Sequence, residues 1–232
     1  CMSGRIRIAT WNMHSGVGID GRFAPQRIAR VIGELGADIV ALQEFGSHRA
    51  GFDMRAHLEQ ATGWPALVIA TCSDRYGEFG NAVLSRFPIL SSMCHALDGG
   101  RREPRNAIDV IVDCGIAHLR VIATHLGLRR HERRAQSAYL HDLFTGGEVS
   151  PVVLLGDFNM WRTRGGGLQA FSPDSGRGSR APRTFPAPFP IVALDRILVS
   201  PMSARIGLHA HRSRASRVAS DHLPLVAEIE LG

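Results

Sequence analysis

Short apolar runs and longer amphipathic stretches alternate along this chain, and the alternation places most of its elements. Runs over residues 7–12, 38–43, 65–70, 81–85, 89–96, 107–113 and 118–124 read as strands. Each is too short for a helix and most are rich in Val, Ile or Leu. Three more, near 152–155, 194–199 and 223–229, close the chain. Residues 25–36 predict a helix, with Pro25 in its first turn, Ile28, Val31, Ile32 and Leu35 on one face, and Gly36 as its stop. A second helix is expected over 132–144, with Ala135, Ala138, Tyr139 and Leu143 turned inward. The stretch 172–190 is rich in Pro, Gly, Ser and Arg and reads as a long loop. It leads directly to Asp195, so it is expected to rim any site that residue serves.

The polar residues at the ends of the apolar runs are chemically specific. Residues 152–155 break into Gly156-Asp157-Phe158-Asn159. Alternation at a strand end puts Asp157 and Asn159 on one face, where a carboxylate and an amide can meet a common ligand. Taken alone, the same residues would serve about as well as a capped turn. The pattern recurs, however. Other runs end in Asn12, in Glu44 and in His125, the final strand is preceded by Ser220-Asp221-His222, and another strand opens at Asp195. Strand ends in α/β sheets are where ligands bind, so these groups point to one site.

The segments TWNMHSG, ALQEFG, GNAVLSRFPI, ATHLGL, LLGDFNMW, LDRILVS and SDHLPLVAEI lie between residues 5 and 230. In them the chain resembles the endonuclease/exonuclease/phosphatase superfamily, the DNase-I-like metal-dependent phosphohydrolases. The resemblance implies a four-layered α/β sandwich: two packed, mostly antiparallel β-sheets flanked by helices. It also implies dependence on Mg²⁺, with Mn²⁺ as a substitute, and hydrolysis of a phosphate ester by an activated water. The expected substrate is a small or lipid-linked phosphodiester or phosphomonoester, and the alternative is a nuclease with the same mechanism. Fold alone does not choose between them.

Glu44 is the best metal ligand, because a carboxylate closing an apolar strand is costly without a cation. Mg²⁺ takes oxygen donors and keeps several waters, so few protein ligands suffice; by resemblance, Asn12 and Asp221 complete the set. His222 is the candidate general base, since an imidazole with an ordinary pKa of about 6.5 can accept a proton from water at neutral pH. The resemblance gives it Asp195 as the partner that fixes its tautomer. Asp157 and Asn159 are expected to orient the nucleophile, contact the phosphate or assist the leaving group. His125 is expected to donate to a phosphoryl oxygen, with Glu78 keeping it protonated; Glu78 reads equally well as a solvated loop residue. Arg105, as a bidentate clamp, and Asn81 complete the substrate-binding set, although a surface role suits Arg105 as well.

Length and charge refine the picture. With 232 residues, 44% of them apolar, residues 1–232 are expected to form a single domain. That length is close to the minimum for the family resembled and leaves little room for insertions that grip duplex DNA. The formal charge of +6 is carried by 27 arginines and no lysine. Complete replacement of lysine reads as a genome-wide bias, so the chain has a basic surface without a nucleic-acid footprint. A phosphate ester is therefore the expected partner, with nucleic acid or a lipid head group as open cases and no obligate protein partner indicated. The four cysteines include no CxxC and read as reduced thiols. Cys1 precedes Met2, which reads as a natural start, so Cys1 reads as an added residue, with a lipid-modified mature terminus as the other reading. No run approaches the roughly 18 apolar residues of a membrane span, and a soluble, cytoplasmic enzyme is the expectation.

Overall fold

A computed structural model describes residues 4–46, 48–49, 51–74, 77–97, 104–161 and 181–231. The first seven strands are β1 (Gly4–Asn12), β2 (Ile39–Gly46), β3 (His48–Arg49), β4 (Phe52–Asp53), β5 (Ala66–Asp74), β6 (Gly77–Ser85) and β7 (Ile89–Leu97). Then come β8 (Arg105–Asp113), β9 (His118–His125), β10 (Val152–Asp157), β11 (Asp195–Ser200), β12 (Arg205–Ala210) and β13 (Leu225–Leu231). The helices are α1 (Pro25–Leu35), α2 (Met54–Thr62), α3 (Arg130–Thr145) and the short α4 (Ser216–Ala219).

The larger strands form two sheets, ordered β12-β13-β1-β2-β6-β5 and β11-β10-β9-β8-β7. Most neighbours are antiparallel, while β1 with β2 and β9 with β10 are parallel. Each parallel pair is joined through a helix, α1 in the first case and α3 in the second, as parallel neighbours require. Between the sheets lies one apolar core, where Ile8, Ala41 and Val83 face Ile108, Val121 and Leu155. Outside the first sheet, Ile28, Val31 and Leu35 of α1 and Leu58 of α2 pack on Trp11, Val40 and Leu84. Leu140 and Phe144 of α3 cover Ile122 and Leu154 outside the second. The result is the four-layered α/β sandwich implied by the sequence.

Alternation along the buried strands explains the layering. In β2, Ala41 joins the core between the sheets and Leu42 the core beneath the helices. α1 follows its expected period, burying Pro25, Ile28, Val31, Ile32 and Leu35 and ending at Gly36, whose φ of 56° suits a left-handed cap. In α3 the expected face is wrong. Glu132, Gln136, Ser137, Leu140 and Phe144 are buried, whereas Ala135, Ala138 and Tyr139 are exposed and Leu143 is half-buried. Polar groups on the inner face shift the register: Gln136 accepts the Gly127 amide and Glu132 that of Arg129. Among the elements that escape the apolar pattern are α2 and β12. In α2 only Met54 and Leu58 are buried, and its start is capped by Asp53, which accepts the Ala56 amide. β12 is an edge strand with no fully buried position, so four strands rather than three follow residue 150. Of the expected loop, residues 172–180 lie outside the described residues. Its remainder folds back on itself through bonds between Phe185 and Val192.

This topology gathers the polar strand ends. β1 and β2 run in the same direction and finish near Asn12 and Glu44, and β9 and β10 finish with His125 paired to Asp157. β11, antiparallel to β10, begins with Asp195 opposite Asp157. β8 begins at Arg105, antiparallel to β9, and β13, antiparallel to β1, begins just after Asp221 and His222. Chain direction alone thus brings these residues to one edge of the sandwich.

Candidate active site

Backbone irregularity aims the first ligands. Leu42 pairs with Ala82 and Phe45 with Gly80, so two residues of β2 stand opposite Asn81 in a β-bulge. Strict alternation would send Glu44 with Leu42 toward the helices; the bulge, with φ of 50° at Glu44, turns it to the sheet edge. Asn159 is also left-handed, with φ of 52°. The strand ends at Asp157, so Asn159 reaches the site through a turn and not by strand alternation. The only other described non-glycine residues with positive φ are His14 and Ser15, two and three residues beyond Asn12. Such costly conformations concentrate at functional sites.

Asp157, 1% exposed, is the hub. Its Oδ2 accepts from Asn12 Nδ2 at 3.2 Å and lies 3.6 Å from His125 Nε2 and 3.7 Å from His222 Nε2. Its Oδ1 accepts the Asn159 amide at 2.9 Å. Asn12 bridges outward, donating to Glu44 Oε1 at 2.9 Å while its side-chain carbonyl oxygen accepts the His14 amide. Four of the expected residues, Asn12, His125, Asn159 and His222, therefore meet around one carboxylate, with Glu44 joined to it through Asn12.

His222 and Asp195 form the expected pair, with Nδ1 2.9 Å from Oδ2. The strand entering from His222 is anchored behind the ring: Trp11 Nε1 donates to the His222 carbonyl, and Ser220 Oγ receives the His222 amide while donating to the Asn12 backbone carbonyl. Burial is the largest influence on the ring and works against its charge. The charge and hydrogen bond of Asp195, then Asp157 and Asp221, outweigh it and push the pKa up to about 10. The surrounding carboxylates thus favour the protonated ring, which raises the proton affinity of the expected base above that of an ordinary imidazole.

His125 reverses the expectation in the other direction. Burial, helped by Arg105 and His222 against Asp157, holds its pKa at about 3. Arg105 Nη1 lies 3.0 Å from its Nδ1, and an arginine can only donate, so Nδ1 accepts and the ring hydrogen sits on Nε2. Asn159 Nδ2 lies 3.1 Å from Nε2 and donates to the Leu126 carbonyl. Burial therefore sets the charge state and not Glu78, which is exposed on β6. Asn81 lies at the site, but its amide donates to Asn106 Oδ1 at 2.8 Å, a partner the sequence did not suggest. Glu44, Asn81, Arg105 and His125, with Ser15, Cys72 and Phe79, line a cleft of about 370 Å³.

The residues fit a hard divalent cation. Burial raises the Glu44 carboxyl above its usual range, and Asp221 and Asp157 add to this against the Asn12 bond and His14. A buried carboxyl whose ionisation is opposed by burial and by two neighbouring acidic groups calls for positive charge. Glu44, Asp221 and the Asn12 side-chain carbonyl supply an all-oxygen set. A second grouping, Asp157, Asp195 and His222, offers ligand atoms within 4.8 Å of one another. There Nδ1 is already spent on Asp195, which favours a proton-carrying role. Among the described residues no helix is long and apolar enough to cross a membrane.

A sandwich of this construction with its acidic and imidazole groups at one edge is a fold of phosphoric ester hydrolases. Residues 9–222 match the endonuclease/exonuclease/phosphatase family, and the chain belongs to it. An uncharacterized Escherichia coli K12 protein, YbhP, is 33% identical over 97% of this chain and 96% of its own length. A family structure from Beutenbergia cavernae superposes with a TM-score of 0.77 at 24% identity, over 98% of this chain and 72% of that one. A Danio rerio TDP2 complex with a single-strand DNA product gives 0.73 at 17%, over 97% and 98%.

Proposed function

We propose that the protein is a Mg²⁺-dependent phosphoesterase, with Mn²⁺ as a substitute, that hydrolyses a small or lipid-linked phosphodiester or phosphomonoester. The observation that carries the reading is the convergence of Asn12, His125 and His222 on Oδ2 of Asp157, beside Glu44. Glu44, Asp221 and the Asn12 side-chain carbonyl would hold the cation, which supplies positive charge to phosphoryl oxygens and offsets the carboxylates that keep His222 protonated. Asp195 holds Nδ1 of His222, so Nε2 faces Asp157 and moves the proton between water and leaving oxygen. Neutral His125, locked by Arg105, presents Nε2–H as a fixed donor. Asn159 is fixed beside that ring by the bond from its Nδ2 to the Leu126 carbonyl.

The cleft lined by Glu44, Arg105 and His125 has room for a phosphate with its leaving group. A nuclease is the second reading, supported by the likeness to TDP2 crystallised with a single-strand DNA product. Turnover of bis-p-nitrophenyl phosphate, p-nitrophenyl phosphate, a phospholipid and supercoiled plasmid separates them. Preference for the small or lipid esters supports the first reading. Efficient plasmid nicking whose affinity falls by orders of magnitude between about 50 and 200 mM salt supports the second.

A further inference from the structure

Asp195 accepts two hydrogen bonds on one oxygen. His222 Nδ1 lies 2.9 Å from Oδ2, and Oγ1 of the fully buried Thr184 donates to the same atom at 2.5 Å. The other oxygen, Oδ1, is buried with no hydrogen bond among the described residues. A threonine in a loop ordinarily bonds backbone near itself; here the hydroxyl reaches a carboxylate eleven residues on.

The main chain of Thr184 is held separately. Its amide donates to the Val192 carbonyl at 2.9 Å, and its carbonyl accepts the Leu223 amide at 2.8 Å. Next to it, the Phe185 ring packs on His222 with centroids 5.0 Å apart, and the Ala187 amide donates to the Asp221 carbonyl at 2.7 Å. The position of the residue thus survives loss of the hydroxyl. What the hydroxyl adds is an orientation for Asp195, since a donor on Oδ2 opposes rotation of a carboxylate whose other oxygen is unbonded.

We propose that Thr184 is a positioning residue for the Asp195–His222 pair, the outer member of a hydroxyl–carboxylate–imidazole relay that keeps Nε2 aimed at Asp157. The proposal rests on the reading of that pair as a working dyad. Without the hydroxyl, Asp195 turns between two poses, the imidazole follows, and turnover falls while substrate binding is kept.

Thr184→Val, Thr184→Ser and Asp195→Asn are compared by kcat and KM for bis-p-nitrophenyl phosphate and by the low-field proton resonance of His222 Nδ1–H. The valine is expected to lower kcat roughly tenfold or more, the size typical of losing a partner that orients a site residue. KM should stay within about twofold, and the Nδ1–H resonance should shift or broaden. The serine should restore both the rate and the resonance. Should the valine fail to fold, Thr184→Ala against Thr184→Ser gives the same comparison. A slow Asp195→Asn beside a Thr184→Val with wild-type kcat and resonance overturns the role of Thr184 alone. An Asp195→Asn as fast as wild type overturns the dyad itself. Equal losses in valine and serine variants assign the effect to packing and also overturn the proposal.

Discussion

Nδ1 of His222 lies 2.9 Å from Oδ2 of Asp195, both side chains are nearly inaccessible, and Nε2 of the same ring stands 3.7 Å from Asp157. One imidazole therefore links a carboxylate that orients it to a carboxylate at the reacting edge. His222→Ala and Asp195→Asn should each lower kcat by about 100-fold or more, the range for lost acid-base help. If the two act as a unit, the double variant is barely slower than the worse single one, a result read from a double-mutant cycle. Multiplicative losses would show that they work independently.

The two buried histidines give the metal-free protein a stability optimum. His222 titrates at about 10 when folded against an ordinary 6.5. Its contribution is complete below 6.5 and is lost as pH rises through about 10. His125, held at about 3, is the opposite case: its contribution is present above 6.5 and is lost as pH falls toward about 3. Urea unfolding in chelator should therefore show greatest stability near neutral pH. His222→Gln should flatten the alkaline fall and His125→Gln the acid one; a wild-type protein equally stable from neutral pH to about 10 would refute the charge assigned to His222.

Cation binding should register without any substrate. Mg²⁺ or Mn²⁺ is expected to raise Tm in a concentration-dependent way, since a ligand that binds only the folded chain stabilises it. Glu44→Gln removes the acidic ligand on the bulge and should abolish most of that rise while keeping a cooperative melt. An unchanged rise in this variant would place the cation elsewhere.

The packing of α3 is testable by stability alone. Leu140 is fully buried and Tyr139 is 46% exposed. Leu140→Ala should destabilise the protein by about 2–5 kcal/mol. Tyr139→Phe, which removes only the hydroxyl beside His95 Nδ1, should cost about 1 kcal/mol or less. Comparable losses from the two would restore the helix face suggested by the apolar period.

The contrast between these two residues shows what the sequence carries. Strand ends such as Asn12, His125 and Asp157 were legible because a polar group after an apolar run has few other reasons to be there, and chain direction then fixed their common edge. The inner face of α3 was not, since Gln136 and Glu132 are buried for the backbone groups they bond, which hydrophobicity does not register. Asn159 lies beside Asp157 as expected but by another geometry, as a left-handed turn has no signature in alternation. Thr184 sits in a proline-rich loop, and its partner is set by tertiary folding rather than spacing. The pKa shifts of His125 and His222 have no signature in spacing for a related reason: each is the sum of burial and neighbours on several strands.

The most direct test of the account is turnover of bis-p-nitrophenyl phosphate with Mg²⁺ and with chelator, for the wild type and for Asp157→Asn. The expected result is Mg²⁺-dependent release of p-nitrophenol that disappears in chelator and falls by about 100-fold or more in the variant, the scale of a lost electrostatic contact at a reacting centre. Hydrolysis undiminished in chelator, or an Asp157→Asn enzyme as fast as the wild type, would contradict a metal-dependent phosphoesterase site centred on Asp157.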